Sequence, residues 1–169
     1  SLGVKYMKIA SIDANNYHFC EYVARKRKPT IISTGMSTYK EILETQKIFN
    51  KFKTPHIFLH CTSAYPSKNS DKNLRCIIKL RKLLNEDVGF SGHGIGSVGA
   101  SGAVALGAKL VEKHVTLSRK MLGPDHAASL EFDEFSSMVN LSRGIKEALG
   151  SDEKKFLKSE KVLHDVLIR

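Results

Sequence analysis

Polar side chains that can bind anions or metals recur along this chain, each at the end of a short apolar run. The positions are Lys8, Ser33, Thr62, Ser91 and His114. They lie 23 to 29 residues apart, which is the repeat of a strand followed by a helix in parallel α/β folds. The carboxyl ends of parallel barrel strands share one rim, so we expect these side chains to meet there.

One lysine and several hydroxyl groups at this predicted rim favour an anion site. The hydroxyl groups belong to Ser11, Ser33, Thr62, Ser63 and Ser91. Convergent hydroxyls beside the ammonium group of Lys8 would form a cradle for a phosphate or a carboxylate. A lysine at a strand end can also be a Schiff-base nucleophile, or simply a surface residue, and the sequence leaves these alternatives open.

Two histidines end neighbouring runs and could share a divalent metal. Neutral imidazoles of His93 and His114 would supply two ligands, with carboxylates or waters supplying the rest. The alternative is that both are structural, hydrogen-bonded histidines. Asp125, in the turn at residues 123–126, either starts that turn or holds sugar hydroxyls.

A glycine-rich stretch offers a competing interpretation. Residues 94–99 match the pattern GxGxxG of dinucleotide-binding folds. Such a site needs its glycines at the very end of the strand, whereas residues 91–93 intervene here. The dinucleotide site is therefore the weaker hypothesis.

The runs between these residues predict alternating strands and helices. Predicted strands cover residues 7–11, 30–34, 57–63, 88–91 and 110–114. Predicted helices cover residues 17–27, 38–52, 73–84, 98–106 and 131–149. Thr38 and Glu41 form a capping-box pattern, and Gly150 is a C-cap candidate. The pattern predicts an α/β fold, a TIM-type (β/α)8 barrel of which about the last five βα units are present.

Five units leave a sheet with open edges. We expect the first and last strands to lack a neighbour on one side, with Ile9 and Val111 uncovered on the inner face. Residues 1–150 are predicted to form the partial barrel, and residues 151–169, ending in an apolar run at 162–168, a linker toward a further domain. Such a chain should be marginally stable and prone to associate.

The composition is that of an ordinary globular protein, with 41% hydrophobic and 26% charged residues among 169. No apolar run approaches a membrane span, and the first eight residues do not predict a signal peptide. Three cysteines without a CxxC pattern favour reduced thiols. The net charge of +10 invites a nucleic-acid hypothesis, but the basic clusters lack interleaved stacking aromatics, so we expect no nucleic-acid partner.

The motifs in their order resemble the sialic acid synthase family. The resemblance covers roughly residues 1–151 and is carried by residues 8–11, 33–36, 60–66, 90–93, 103–108, 112–114 and 123–131. The Thr-Ser-Ala-Tyr-Pro and Ser-Gly-His variants resemble the animal enzymes more than most bacterial ones. The family condenses phosphoenolpyruvate with N-acetylmannosamine or its 6-phosphate, giving N-acetylneuraminate or its 9-phosphate and phosphate.

The resemblance also implies roles for individual residues. His93 and His114 would bind a divalent metal, manganese or magnesium. Lys8 and the hydroxyls of Ser11, Ser33, Ser63 and Ser91, with Thr62 beside them, would hold phosphoenolpyruvate, although position 63 is asparagine in some members. Tyr65 and Asp125 would hold the acceptor sugar, and Lys8 and Asp125 would be the catalytic residues.

The resemblance also implies a reaction mechanism, an oligomeric state and a cellular location. Carbon 3 of phosphoenolpyruvate would attack the open-chain aldehyde, water would add at carbon 2, and the tetrahedral intermediate would expel phosphate. The family forms cytoplasmic, domain-swapped homodimers with a small antifreeze-like domain. Its first three strands, with a glutamate and a second lysine, and that small domain with its arginine have no counterpart in this sequence. We therefore expect this chain alone to be inactive, and a non-catalytic binding module stays an alternative, as does a Schiff-base aldolase using Lys8.

Overall fold

A computed structural model describes residues 3–167 and contains one parallel sheet. Its strands are β1 (Met7–Ile9), β2 (Thr30–Ser33), β3 (His56–Cys61), β4 (Val88–Gly92) and β5 (Val111–Lys113). They are hydrogen-bonded in sequence order, and every neighbouring pair is parallel. The predicted α/β fold with five consecutive βα units is confirmed.

Within residues 3–167, six α-helices connect and follow the strands. They are α1 (Tyr17–Ala24), α2 (Tyr39–Lys51), α3 (Cys76–Leu84), α4 (Val98–Ala105), α5 (Phe132–Leu149) and α6 (Lys161–Leu167). The predicted helix at residues 73–84 begins three residues later, because Asn73 has a left-handed backbone with φ 42°. Helix α6 was not predicted. The apolar run at residues 162–168 falls on it, although Ile168 lies outside the described residues, as do Ser1 and Leu2.

Helix α2 begins with the capping box that the sequence predicted. The side chain of Thr38 accepts a hydrogen bond from the Glu41 amide, and Glu41 accepts one from the Thr38 amide at 2.7 Å. The Thr38 amide, the Thr38 hydroxyl and Asn15 all donate to this carboxylate. Together they lower the pKa of Glu41 to about 2.

The main core lies between one face of the sheet and the helices. On the sheet it comprises Ile9, Ile32, Phe58, Val88 and Phe90, all at most 2% exposed. From the helices come mainly Cys20, Val23, Phe49, Ile77 and Leu80. The expectation that Ile9 would be uncovered is wrong, because its side chain points toward α1 and α2 and is fully buried.

The same expectation is also wrong for Val111, at the other edge of the sheet. It packs with Phe135, Met138 and Val139 of α5, so it belongs to a second small core rather than to an open inner face. Beyond β5, Val115 forms a parallel bridge with Leu130, which ties the following loop to the strand end. Among the described residues no helix is long and apolar enough to cross a membrane.

Candidate active site

The alternation of side chains along each strand separates the core from the rim. Ile9, Ile32, Phe58 and Phe90 face the helices, so their neighbours face the opposite side of the sheet. Those neighbours include Lys8, Ser33 and Ser91. The strand register then decides which of them are adjacent.

Lys8 is the middle residue of β1, and its side chain reaches across to β2. Its Nζ donates to the carbonyl oxygen of Ile9 at 2.8 Å and to the hydroxyl of Ser33 at 2.9 Å. These two contacts place the Nζ of Lys8 beside the hydroxyl groups of the rim, where it can donate to an anion.

Ser11 and Ser63 meet beside this lysine although they are 52 residues apart in the chain. Their hydroxyl oxygens lie 3.0 Å from each other. Gly35 makes this approach possible. It has φ +44°, and a Cβ there would come within 2.2 Å of the Ser11 Cβ and 2.6 Å of the Ser63 Oγ.

A carboxylate that the sequence analysis did not assign lies at the centre of the rim. Glu112 of β5 is in register with Ser91 of β4, and its Oε1 accepts a hydrogen bond from the Ser91 hydroxyl at 2.8 Å. The same oxygen is 3.5 Å from the Ser33 hydroxyl, and Oε2 is 3.7 Å from the Nζ of Lys8. Its place in the middle of a short strand was the available clue, because a charge there needs partners.

His93 is fixed in one tautomer by its neighbours. Its Nδ1 is 2.9 Å from the carbonyl oxygen of Thr62, which can only accept, so Nδ1 carries the proton. In the neutral ring Nε2 then accepts from the Tyr65 hydroxyl at 3.1 Å, and the two rings stack at 4.1 Å. Burial lowers the pKa of His93, which favours the neutral ring.

His114 lies next to this stacked pair. Its ring is edge-to-face with that of His93, with centroids 5.4 Å apart, and 5.8 Å from the ring of Tyr65. Asp125 approaches the His114 Nδ1 to 3.8 Å. Within residues 3–167 no group of three or more histidine, cysteine, aspartate and glutamate side chains has a metal-binding arrangement.

Thr62 contributes its backbone rather than its side chain to this rim. Its hydroxyl donates to the carbonyl oxygen of Asp71 at 3.0 Å, while its own carbonyl orients His93. Cys61, next to it, is buried, and burial raises the pKa of its thiol.

The glycine-rich stretch after β4 makes room for two lysines. A Cβ on Gly94 would lie 2.5 Å from the Nζ of Lys72, and one on Gly99 would lie 3.0 Å from its Cδ. The Lys113 ammonium donates to the Gly94 carbonyl oxygen, and burial followed by the charge of Lys72 lowers the pKa of Lys113 to about 8. These glycines therefore receive side chains of the protein itself, which removes the reason for a dinucleotide site.

Known proteins of one family are similar in sequence to this chain. Residues 1–154 match the NeuB family. The chain is 44% identical over 144 residues to a pseudaminic acid synthase of Campylobacter jejuni, covering 85% of this chain and 42% of that one. It is 39% identical over 167 residues to the human N-acetylneuraminate-9-phosphate synthase, covering 98% of this chain and 46% of that one. Bacterial and animal relatives are thus both similar to it.

Solved structures show the same fold. An N-acetylneuraminic acid synthetase from Leptospira borgpetersenii superposes with a TM-score of 0.89 at 35% identity, covering 99% of this chain and 60% of that one. A DAHP synthase from Thermotoga maritima, at 20% identity and a TM-score of 0.75, shows likeness of fold alone.

The fold and the rim define part of a TIM-type barrel with a lysine- and hydroxyl-lined site at the carboxyl ends of its strands. The chain belongs to the NeuB family. It spans about half the length of the curated relatives that it matches.

Proposed function

We propose that this chain is part of a sialic acid synthase that condenses phosphoenolpyruvate with N-acetylmannosamine or its 6-phosphate. The products would be N-acetylneuraminate or its 9-phosphate, and phosphate. One observation supports the proposal: the lysine–hydroxyl cradle and the histidine pair share the same strand ends, because His93 follows β4, which carries Ser91, and His114 follows β5, which carries Glu112. The activity belongs to the complete barrel, and we expect the chain alone to be inactive.

The cradle supports a role in holding phosphoenolpyruvate. Lys8 supplies a positive charge, and Ser11, Ser33, Ser63 and Ser91 supply hydroxyl donors that can rotate toward an anion. Fixed donors of this kind offset negative charge near the reacting carbon better than water does. As phosphate leaves by cleavage of its bond to carbon 2, the same donors would stabilise it.

The histidine pair fits a divalent metal, manganese or magnesium. Because Nδ1 of His93 donates to the Thr62 carbonyl, Nε2 is the nitrogen with a lone pair for a metal, and Tyr65 is its partner in this structure. His114 would be the second ligand, and water or substrate would complete the shell. Such a metal, when bound, would polarise the acceptor aldehyde.

Tyr65 and Asp125 are the proposed acceptor contacts. Both side chains are about half exposed and lie beside the histidine pair, so an acceptor there would face the cradle. Since relatives include enzymes named for pseudaminic and N,N'-diacetyllegionaminic acid, acceptors of those types belong in any assay. A cytoplasmic homodimer is part of the same proposal.

Two rival functions make different predictions. A Schiff-base aldolase would be trapped at Lys8 by borohydride with pyruvate, whereas the synthase would not. A non-catalytic binding module of the same fold would release no phosphate from phosphoenolpyruvate, even with the rest of its barrel present.

The test measures turnover of phosphoenolpyruvate by the polypeptide that contains this chain and the rest of its barrel. Phosphorus NMR should show phosphoenolpyruvate converted to phosphate only with an acceptor and manganese. Manganese binding, measured by electron paramagnetic resonance, should be lost in His114→Ala and retained in His164→Ala, which lies on α6 away from the rim. Full turnover in His114→Ala would mean that the histidines are structural.

A further inference from the structure

Glu112 occupies the place where a bound anion would find its donors. Its two carboxylate oxygens contact the Ser91 hydroxyl, the Ser33 hydroxyl and the Lys8 ammonium, at 2.8, 3.5 and 3.7 Å. These are three of the groups that would bind phosphate or carboxylate in the proposed cradle. The carboxylate side chain is 36% exposed, so it lies at the surface of the rim and not beneath it.

The directions of the hydrogen bonds show what a ligand must displace. A carboxylate only accepts, so the protons of Ser33 and Ser91 point toward Glu112. Ser33 also accepts from Lys8, which leaves its single proton for Glu112. An incoming anion must turn these protons away from the carboxylate and then remain close to a like charge.

We propose that Glu112 is an internal anion that competes with the bound ligand for Lys8, Ser33 and Ser91. It keeps the donors gathered at one point while the site is empty, and it weakens the hold on a free phosphate ion. A ligand with a second anchoring group overcomes the competition more easily than phosphate alone. Glu112 is thus a specificity-determining residue. This inference rests on the proposed function, in which the rim binds an anionic substrate and releases phosphate.

The decisive experiment measures inorganic phosphate binding by isothermal titration calorimetry, in low salt with a chelator present, to the polypeptide that carries this chain with the rest of its barrel. Glu112→Gln keeps the size of the side chain and an accepting oxygen for Ser91, but it removes the charge. We expect it to bind phosphate about tenfold more tightly, because a like charge a few ångströms from a partly exposed anion has an effect of that order. A variant that had only lost structural support would bind more weakly.

Glu44→Gln is the matched control. Glu44 lies on α2 and pairs with Lys47 at the surface, so its replacement changes the net charge equally without touching the rim. We expect less than a twofold change in its phosphate affinity. A gain as large in Glu44→Gln as in Glu112→Gln would assign the effect to net charge and overturn the inference.

A third variant separates this inference from the proposed function. Lys8→Met should weaken phosphate binding whether or not Glu112 competes. If Lys8→Met weakens binding while Glu112→Gln leaves it unchanged or lowers it, the competition is refuted and the anion cradle stands. If neither the variants nor the unaltered complete polypeptide bind phosphate or phosphoenolpyruvate, both the competition and the anion cradle are overturned. Circular dichroism of each variant shows whether it is folded.

Discussion

Replacement of Gly35 tests whether the close approach of Ser11 to Ser63 depends on the absence of a side chain between them. The residue follows β2 with φ +44°, where a side chain other than glycine costs roughly 1–2 kcal/mol. A Cβ would also lie 2.2 Å from the Ser11 Cβ and 2.6 Å from the Ser63 Oγ, so one of the two serines must move. Overpacking of this kind costs roughly 1–3 kcal/mol.

Gly35→Ala should therefore lower the free energy of unfolding by roughly 2–5 kcal/mol, the sum of these two effects. Gly96→Ala is the matched control, because Gly96 has φ +73° but no atom within 4 Å of the methyl group that alanine would add. The free energy of unfolding of Gly96→Ala should fall only by the backbone cost, roughly 1–2 kcal/mol.

The measurement is urea unfolding followed by circular dichroism at 222 nm, since the chain has no tryptophan. Gly35→Ala should also weaken binding of phosphoenolpyruvate, because the two hydroxyls are pushed apart. Equal destabilisation of both variants would refute the steric reasoning and leave only the backbone effect.

Two further predictions concern the core and the capping box. Phe49→Ala removes a fully buried ring of the main core and should lower the free energy of unfolding by roughly 3–5 kcal/mol in urea, whereas a loss near zero would contradict its place there. The folded-state pKa of Glu41, about 2, lies below its ordinary value of 4.5, so its stabilising effect is complete above pH 4.5 and is lost as the pH falls toward 2. The melting temperature of Glu41→Gln should accordingly fall less than that of the unaltered chain over this interval, and parallel curves would show that the capping carboxylate is not the group responsible.

The order and type of the elements followed from the sequence because their causes are local. Apolar runs of strand length, the Thr38–Glu41 capping box and Gly150 each act within a few residues of themselves, and each has the predicted role in the structure. The predicted first residue of a helix was less accurate where one backbone angle determines it, as at Asn73 with its left-handed conformation.

The histidines and hydroxyls were also recognisable in advance, because a parallel α/β repeat brings the ends of its strands to one edge whatever the residues are. The repeat could not say which side of a strand faces the helices. Ile9 and Val111 were for that reason expected on the wrong side, and their true place was decided by which side the helices cover.

The contacts within the rim were decided by tertiary structure alone. Glu112 meets Ser91 and Ser33 across 21 and 79 residues of chain, and Ser11 meets Ser63 across 52. Such pairs depend on strand register and on the space left by Gly35, and a shift of one residue would turn each side chain to the opposite face of the sheet. The sequence therefore determined which chemical groups reach the rim, and the packing of the sheet determined that a carboxylate lies among the hydrogen-bond donors of the cradle.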